Sequence, residues 1–418
     1  MASRYLHILP VLAALLSAGA DWTGFRGPRG SGVSAETGLP TTWTSKENVV
    51  WRTKLPGPGT SCPVVIGNKI YLTCYSGYGE VNGKDDDEKN MPKLVRHVVC
   101  LARDGGRILW TKDFKPLLPE SHFTGGHNTQ HGYSSSTIAS DGERLYVFFG
   151  KSGVYSLDLD GNEIWRQSVG TGTSGWGSSN SPVLYKDLVI VNASIESQAL
   201  VSLDKATGKE VWRTKGIRES WNTPVLVDVP GGPTELVLNE SSAVIGFDPA
   251  SGKELWRVDG FSGYVCPSVV ANKDIVYVVR GGVLAIKAGG RGDVKDSHVL
   301  WRTGGNSVVS SPVYYDSRLY WSHDGVECLD ATTGKRIDRL RPSKDGNFYA
   351  SPLAADGKVY CVTRFGGAYV IEAGGPKLRE LAHNEFDDDK SCANAGAIAH
   401  NGQLLMRTDQ YIYCIGKR

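Results

Sequence analysis

Apolar residues in this chain come in short runs separated by turn residues. The clearest stretch reads Ser181-Pro182-Val183-Leu184, Leu188-Val189-Ile190-Val191, then Ala199-Leu200-Val201-Ser202-Leu203-Asp204, then Thr207-Gly208-Lys209-Glu210-Val211-Trp212. Short β-branched runs bounded by Gly, Asp, Asn and Ser predict strands joined by tight turns. The pattern then repeats. Thr223-Pro224 opens the next copy, which closes on Ser251-Gly252-Lys253-Glu254-Leu255-Trp256. Trp165, Trp212, Trp256 and Trp301 stand 47, 44 and 45 residues apart. A unit of about 45 residues holds four short strands with their turns, which is one propeller blade.

Two further copies lack the tryptophan. Cys328-Leu329-Asp330-Ala331-Thr332-Thr333-Gly334 keeps the turn, with Asp338 in the Trp slot. Val370-Ile371-Glu372 leads to Gly375, which puts Arg379 in that slot. The last unit ends on Tyr411-Ile412-Tyr413-Cys414-Ile415, a third strand, while Asn48-Val49-Val50-Trp51-Arg52-Thr53 is a fourth strand with no preceding three. Each completes the other, and such pairing leaves no open sheet edge in the ring. The sequence therefore predicts an all-β, eight-bladed β-propeller over residues 48–418, with four-stranded antiparallel blades. Residues 48–57 supply the fourth strand of the last blade, and 21–47 form an N-terminal arm.

Composition fits this picture. The 418 residues include 51 Gly and 11 Trp, and 40% are hydrophobic. A net charge of +2 gives no field suited to nucleic acid. Residues 1–20 read as a Sec-type secretory leader: Arg4, an apolar stretch from Ile8 to Ala18, and the Ala18-Gly19-Ala20 cleavage signal. No later segment is apolar long enough to span a membrane. A soluble, exported monomer is expected, periplasmic or extracellular.

Eight cysteines in an exported chain raise the question of disulfides. Cys100, Cys328 and Cys414 share one third-strand position, held elsewhere by Ser156, Ser202, Gly246 and Ala285. That position wants a small side chain, and buried Cys meets the need. Cys62 and Cys266 take the Ser of the Ser-Pro element. Cys62 and Cys74 flank a short hairpin, which leaves a cross-strand disulfide open.

The element Ser202-Leu203-Asp204-Lys205-Ala206-Thr207-Gly208-Lys209-Glu210-Val211-Trp212 resembles the tryptophan-docking repeat of the pyrroloquinoline quinone (PQQ) type. The resemblance runs from about Asn48 to Arg418. Such repeats build the eight-bladed quinoprotein dehydrogenases and the BamB-like assembly propellers, which bind no quinone. For the dehydrogenases the resemblance implies PQQ with Ca²⁺ or a lanthanide, held by Glu, Asn and Asp beside a catalytic Asp. This chain matches no such set, and it lacks the adjacent cysteines that cover the quinone. The BamB-like factors are typically lipoproteins, whose anchoring Cys is also missing here.

Aligned repeats bring the segments before each innermost strand to one channel mouth. These carry Tyr133, Trp176, Asn180, Trp221, Asn222, Tyr264, Asn306, Asn347, Tyr349 and Asn394. Trp176, Trp221, Tyr133, Tyr264 and Tyr349 fall outside the docking register, so blade packing does not account for them. Aromatics with a few amides suit a flat or sugar-like ligand, or a peptide; the competing reading is a channel plug. The loop Ser121–His131, near that mouth, holds three histidines, of which His127 and His131 are the candidate metal ligands, without a zinc spacing. Asp387-Asp388-Asp389 could serve Ca²⁺, without the EF-hand pattern; the alternative is a solvated acidic loop, as for Asp85-Asp86-Asp87-Glu88. Arg291-Gly292-Asp293 falls in a loop between third and fourth strands. Hydrolase, metalloprotease and P-loop motifs are absent. The leading reading is a non-catalytic binding or scaffold propeller acting on a protein, small molecule or glycan at its mouth. The alternatives are a PQQ-dependent oxidoreductase, with Trp176 or Trp221 under the quinone, and a glycan-binding propeller.

Overall fold

The computed structural model describes residues 20–80, 87–123, 127–344 and 346–417, the side chains of His127 and Asn128 excepted. The leader assigned to residues 1–20 lies outside them but for Ala20, as do Asp85 and Asp86. No helix among the described residues is long and apolar enough to cross a membrane.

Eight sheets, each built on four antiparallel strands, form the predicted ring; the fourth carries a short fifth strand. The innermost strands of blades 1 to 8 are Val64–Ile66, Ala139–Ser140, Val183–Tyr185, Val225–Asp228, Val270–Asn272, Val313–Tyr315, Leu353–Ala355 and Ile398–His400. Blade 8 is the composite. Val49–Lys54 pairs antiparallel with Tyr411–Ile415, and Trp51 faces Cys414.

Docking of the repeat tryptophans joins one blade to the next. The Trp165 indole N–H donates to the Lys205 carbonyl at 2.9 Å, Trp212 to Pro249 at 3.2 Å, and Trp301 to Ala331 at 3.1 Å. Each acceptor lies in the following blade's turn between third and fourth strands. The turn glycine sits beneath the ring. Gly208 has φ +73°, and a methyl there would lie 2.6 Å from Trp165. Any side chain would therefore meet both backbone strain and a ring clash. Trp256 departs from the pattern. It is wholly buried and donates to Glu235 Oε2 at 2.6 Å. Arg291 pairs with the same carboxylate at 3.0 Å, and Gly292–Asp293 adds a short parallel strand beside Trp256. The Arg-Gly-Asp string is thus a packing element between blades 4 and 5.

The third-strand position with small residues faces the tryptophan directly: Cys100 opposes Trp110, Ser156 opposes Trp165, and Ser202 opposes Trp212. Blade 7 corrects the sequence reading. Val370 faces Ala382, not Arg379. Its turn is longer than those of blades 1 to 4 and 6, and Arg379 instead pairs with Glu372 at 2.8 Å across that turn. Volumes are reversed there, with the bulk on the third strand.

A hydroxyl relay runs around the channel. The backbone N–H of Cys62 donates to Thr137 Oγ1 (2.9 Å), Thr137 to Ser181 (3.0 Å), Ser181 to Thr223 (2.9 Å), Thr223 to Ser268 (2.9 Å), Ser268 to Ser311 (3.0 Å) and Ser311 to Ser351 (3.0 Å). Each bond links neighbouring blades, and each adds about 1 kcal/mol. The relay also corrects the placement of Cys266. Ser268 holds the ring position in blade 5, two residues before its innermost strand as in every other blade; Cys266 stands two residues earlier. Gly396 brings no hydroxyl to blade 8. The closure is lashed instead by Arg103, which donates to the His400 carbonyl at 2.8 Å, and by Arg407, which donates to the Thr73 carbonyl at 2.8 Å.

The arm 21–47 crosses the channel end where the innermost strands finish. Trp22 and Val65 exchange two backbone bonds of 3.0 Å. Ser140 N–H donates to the Thr23 carbonyl at 2.8 Å, and Ala354 N–H to the Gly32 carbonyl at 2.9 Å. Trp43 N–H donates to Asn384 Oδ1 at 2.8 Å. Trp22, Leu39 and Trp43 are buried against blades 1, 7 and 8.

Candidate functional site

The arm turns the channel into a chamber of about 1070 Å³, including solvent at its mouth. Trp22, Phe25, Arg26 and Gly32 make the floor. Above it stand the hydroxyls of Thr223, Ser268, Ser311 and Ser351, with Cys62 at the equivalent position in blade 1. Two residues before each ring position comes another tier, and all eight of its members line the wall: Thr60, Ser135, Ser179, Trp221, Cys266, Val309, Tyr349 and Asn394. Strand alternation explains the spacing, because residues two apart share a face.

The mouth is narrowed by the 3₁₀ turn His127–Gln130, which leans over from the connection between blades 1 and 2. The Gln130 carbonyl accepts from Asn394 Nδ2 at 2.6 Å, and Gln130 Oε1 accepts from Tyr349 at 3.2 Å and Arg364 at 2.5 Å. The Arg364 guanidinium stacks 4.3 Å over the Tyr349 ring. His131 lies on the other side of this strap. Its Nε2–H donates to the Trp176 carbonyl, and its Nδ1 accepts from Ser135 at 2.6 Å. Burial lowers its pKa, so the ring is neutral. Trp176 tilts over Tyr264 at 5.6 Å and meets Trp221 edge-on at 6.5 Å, while the Trp221 indole N–H donates to the Gly177 carbonyl at 2.8 Å.

Five of the ten sequence-selected mouth residues meet at this chamber: Trp176, Trp221, Asn222, Tyr349 and Asn394. Asn222 is itself buried, its amide donating to Ser220 Oγ at 2.9 Å. Asn180 is fully buried outside the lining, on the opposite strand face from Ser179. Tyr133 is buried among Tyr75, Tyr78 and Phe123, its hydroxyl donating to the Ser121 carbonyl at 2.6 Å. Tyr264 and Asn306 border a separate shallow depression beside Arg280. Asn347 is exposed. Sequence reading missed the floor residues, Gln130 and Cys266. The wall tier was recoverable by counting back from each strand start; the floor and Gln130 carried no repeat signal.

The acidic residues proposed for a metal stand apart from the chamber lining. Asp387 is exposed, and Asp388 accepts from Arg52 at 2.5 Å. Asp389 is buried and accepts from Thr408 at 2.7 Å and Tyr413 at 2.8 Å. The His127 side chain lies outside the described residues, and both His131 nitrogens are engaged. Among the described residues no three His, Cys, Asp or Glu side chains converge on a metal-sized point. All eight cysteines are free thiols. The register Val64↔Tyr71 extends to place Cys62 opposite Thr73, so Cys74 projects to the other face and cannot bridge to it.

The family model described as outer membrane protein assembly factor BamB matches residues 96–258, 196–307 and 240–407. No curated protein matches the chain in sequence. The quinohemoprotein alcohol dehydrogenase of Comamonas testosteroni superposes with a TM-score of 0.67 at 11% identity, over 95% of this chain and 81% of that one. BamB of Moraxella catarrhalis gives 0.60 at 12% identity, over 88% and 97%. A europium-containing methanol dehydrogenase gives 0.64 at 10% identity, over 97% and 100%. At such identities the structural likeness concerns the fold alone. With family matches reaching from residue 96 to residue 407, and eight blades docked through repeat tryptophans, the chain belongs to the PQQ-like β-propeller family of outer membrane protein assembly factor BamB.

Proposed function

We propose that this protein is an exported, non-catalytic binding propeller whose blind chamber is its ligand site. The carrying observation is the chamber itself: closed below by the arm, aromatic at its mouth, and walled by hydroxyls. Its described lining contains no Asp or Glu, and its one hydroxyl–imidazole pair, Ser135 with His131, has the second imidazole nitrogen bonded to the Trp176 carbonyl and not to a carboxylate. Export rests on the leader pattern of residues 1–20 and agrees with a family described by an outer-membrane assembly factor.

PQQ does not fit this lining. It is a flat tricarboxylate, and its quinoprotein sites add a metal ion. The chamber has aromatic faces for stacking, yet among its described lining residues Arg26 is the only cation, and no carboxylate is there to hold a metal. The aromatic mouth instead favours a small ligand with a flat or apolar body.

Two measurements test this reading. Incubation of the mature protein with PQQ and Ca²⁺ is expected to leave no bound quinone after desalting and no dye-linked alcohol oxidation. Stoichiometric quinone with dye reduction would overturn it. Small aromatic compounds are expected to quench tryptophan fluorescence saturably, and Trp221→Ala to weaken that binding about tenfold or more. Saturable binding of neutral oligosaccharides alone would favour the glycan reading.

A further inference from the structure

We propose that the closed end of the chamber is an anion site built around Arg26, and that the ligand enters with a single carboxylate or similar monoanion leading and an apolar body behind. This rests on the chamber being the ligand site and adds the ligand's charge and orientation.

Arg26 is 4% exposed, yet among the described residues no carboxylate lines the cavity it borders. A buried charge without a counterion is costly. Its Nη2 donates to the Ser31 carbonyl at 3.2 Å and to the Pro312 carbonyl. These bonds fix its direction. The donors on Nε and Nη1 are buried and have no partner. Burial lowers the Arg26 pKa to about 9, which still leaves it charged at neutral pH.

The surrounding loop is shaped to hold this charge. Arg26 itself adopts φ +60°, an unfavourable conformation for a residue with a side chain. Gly32, at φ +72°, presses close, and a methyl there would lie 2.6 Å from Nη2. Gly32 N–H closes the loop on the Arg26 carbonyl at 2.9 Å.

The hydroxyl ring supplies the second half of the site. Thr223, Ser268, Ser311 and Ser351 each accept a backbone N–H from the preceding blade and also line the chamber. A hydroxyl used as an acceptor keeps its own proton to donate. The floor therefore offers one cation and several O–H donors in a site of restricted water, where charge-assisted bonds are strong. Trp176, Trp221 and Tyr349 wait at the other end for the apolar body. One cation matches one negative charge.

The test uses the full mature protein with formate, phenylacetate and the isosteric neutral phenylacetamide, read by thermal shift and calorimetry. Phenylacetate is expected to bind at least about tenfold more tightly than the amide. Arg26→Met should abolish that preference, and Arg26→Lys should retain it. Formate, which does not reach the aromatic mouth, should raise the Tm of the wild type and Arg26→Lys but not of Arg26→Met. Equal binding of acid and amide overturns the anion site while leaving the chamber as ligand site. Equal stabilisation of wild type and Arg26→Met by formate also overturns it, whatever the mouth binds. Should Arg26→Met not fold, loss of the acid preference in Arg26→Gln decides the matter, and retained preference there overturns the proposal.

Discussion

The two ends of the channel are built by opposite means. The floor is a single segment, residues 21–33, which borrows backbone bonds from the innermost strands of blades 1, 2 and 7. Its chamber-lining residues, Trp22, Phe25, Arg26 and Gly32, are mostly apolar and carry one cation. The mouth is assembled from many separate loops held by side-chain bonds such as Asn394–Gln130 and His131–Ser135. Carboxyls gather on its side, including the buried Glu196 near the Arg96–Glu120 pair and the half-buried Asp409 beside Gly59. One continuous strap, buried on a finished ring, closes the chamber and holds Arg26 in place. Independent loops at the strand starts are free to set recognition.

That contrast breaks most readily at the tryptophans. Trp22 is 3% exposed in the floor, whereas Trp176 is half-buried at the mouth. Trp22→Ala is expected to cost about 3–5 kcal/mol by chemical denaturation. Trp176→Ala should cost less than about 1 kcal/mol while weakening ligand binding. Equal costs would mean that the mouth is a plug.

The next effect in size is a pH dependence confined to the mouth. Burial lifts the Glu196 carboxyl to about 7 and that of Asp409 to about 6. The folded state then keeps protons that the unfolded chain releases. Stability should be fully present below about pH 4 and should fall as pH rises to about 7. Glu196→Gln should flatten up to about 3 kcal/mol of that fall, seen by comparing denaturation at pH 5 and pH 8. The turn carboxylates Asp204 and Asp330 act in the opposite sense. The Thr207 and Thr333 hydroxyls depress them, so their contribution is present at neutral pH and lost only in stronger acid.

The smallest contrast is between two glycines. Gly32→Ala in the floor meets positive φ and the Arg26 guanidinium. It should cost about 2 kcal/mol. Gly175→Ala at the mouth meets nothing within 4 Å and should stay within about 0.5 kcal/mol. Thermal melts of the two variants side by side settle the pair.

Much of the architecture was legible in the chain. The tryptophan period gave the blades, and the half-units at each end gave the closure, observed as Trp51 facing Cys414. Small residues at Cys100, Ser156 and Ser202 were recognised as a shared position; the indole lying opposite is the cause. Register was legible where the turn keeps one length or a tryptophan marks the slot, as Trp301 does in blade 5. In blade 7 the longer turn moved the slot from Arg379 to Ala382. In blade 5 the Cys266-Pro267 pair imitated a Ser-Pro start, while the relay from Thr223 fixed Ser268.

Local periodicity by itself determined the repeat, the number of blades and which tryptophans dock, because those depend on contacts between neighbouring units of the same pattern. Only the tertiary structure decided that the arm closes the channel, that Gln130 crosses to Tyr349 and Arg364, and that Arg26 is buried without a counterion. Those facts depend on contacts between residues as far apart as Arg26 and Pro312, made by segments outside the repeat. Nothing in the spacing of such a segment shows where a closed ring will bury it.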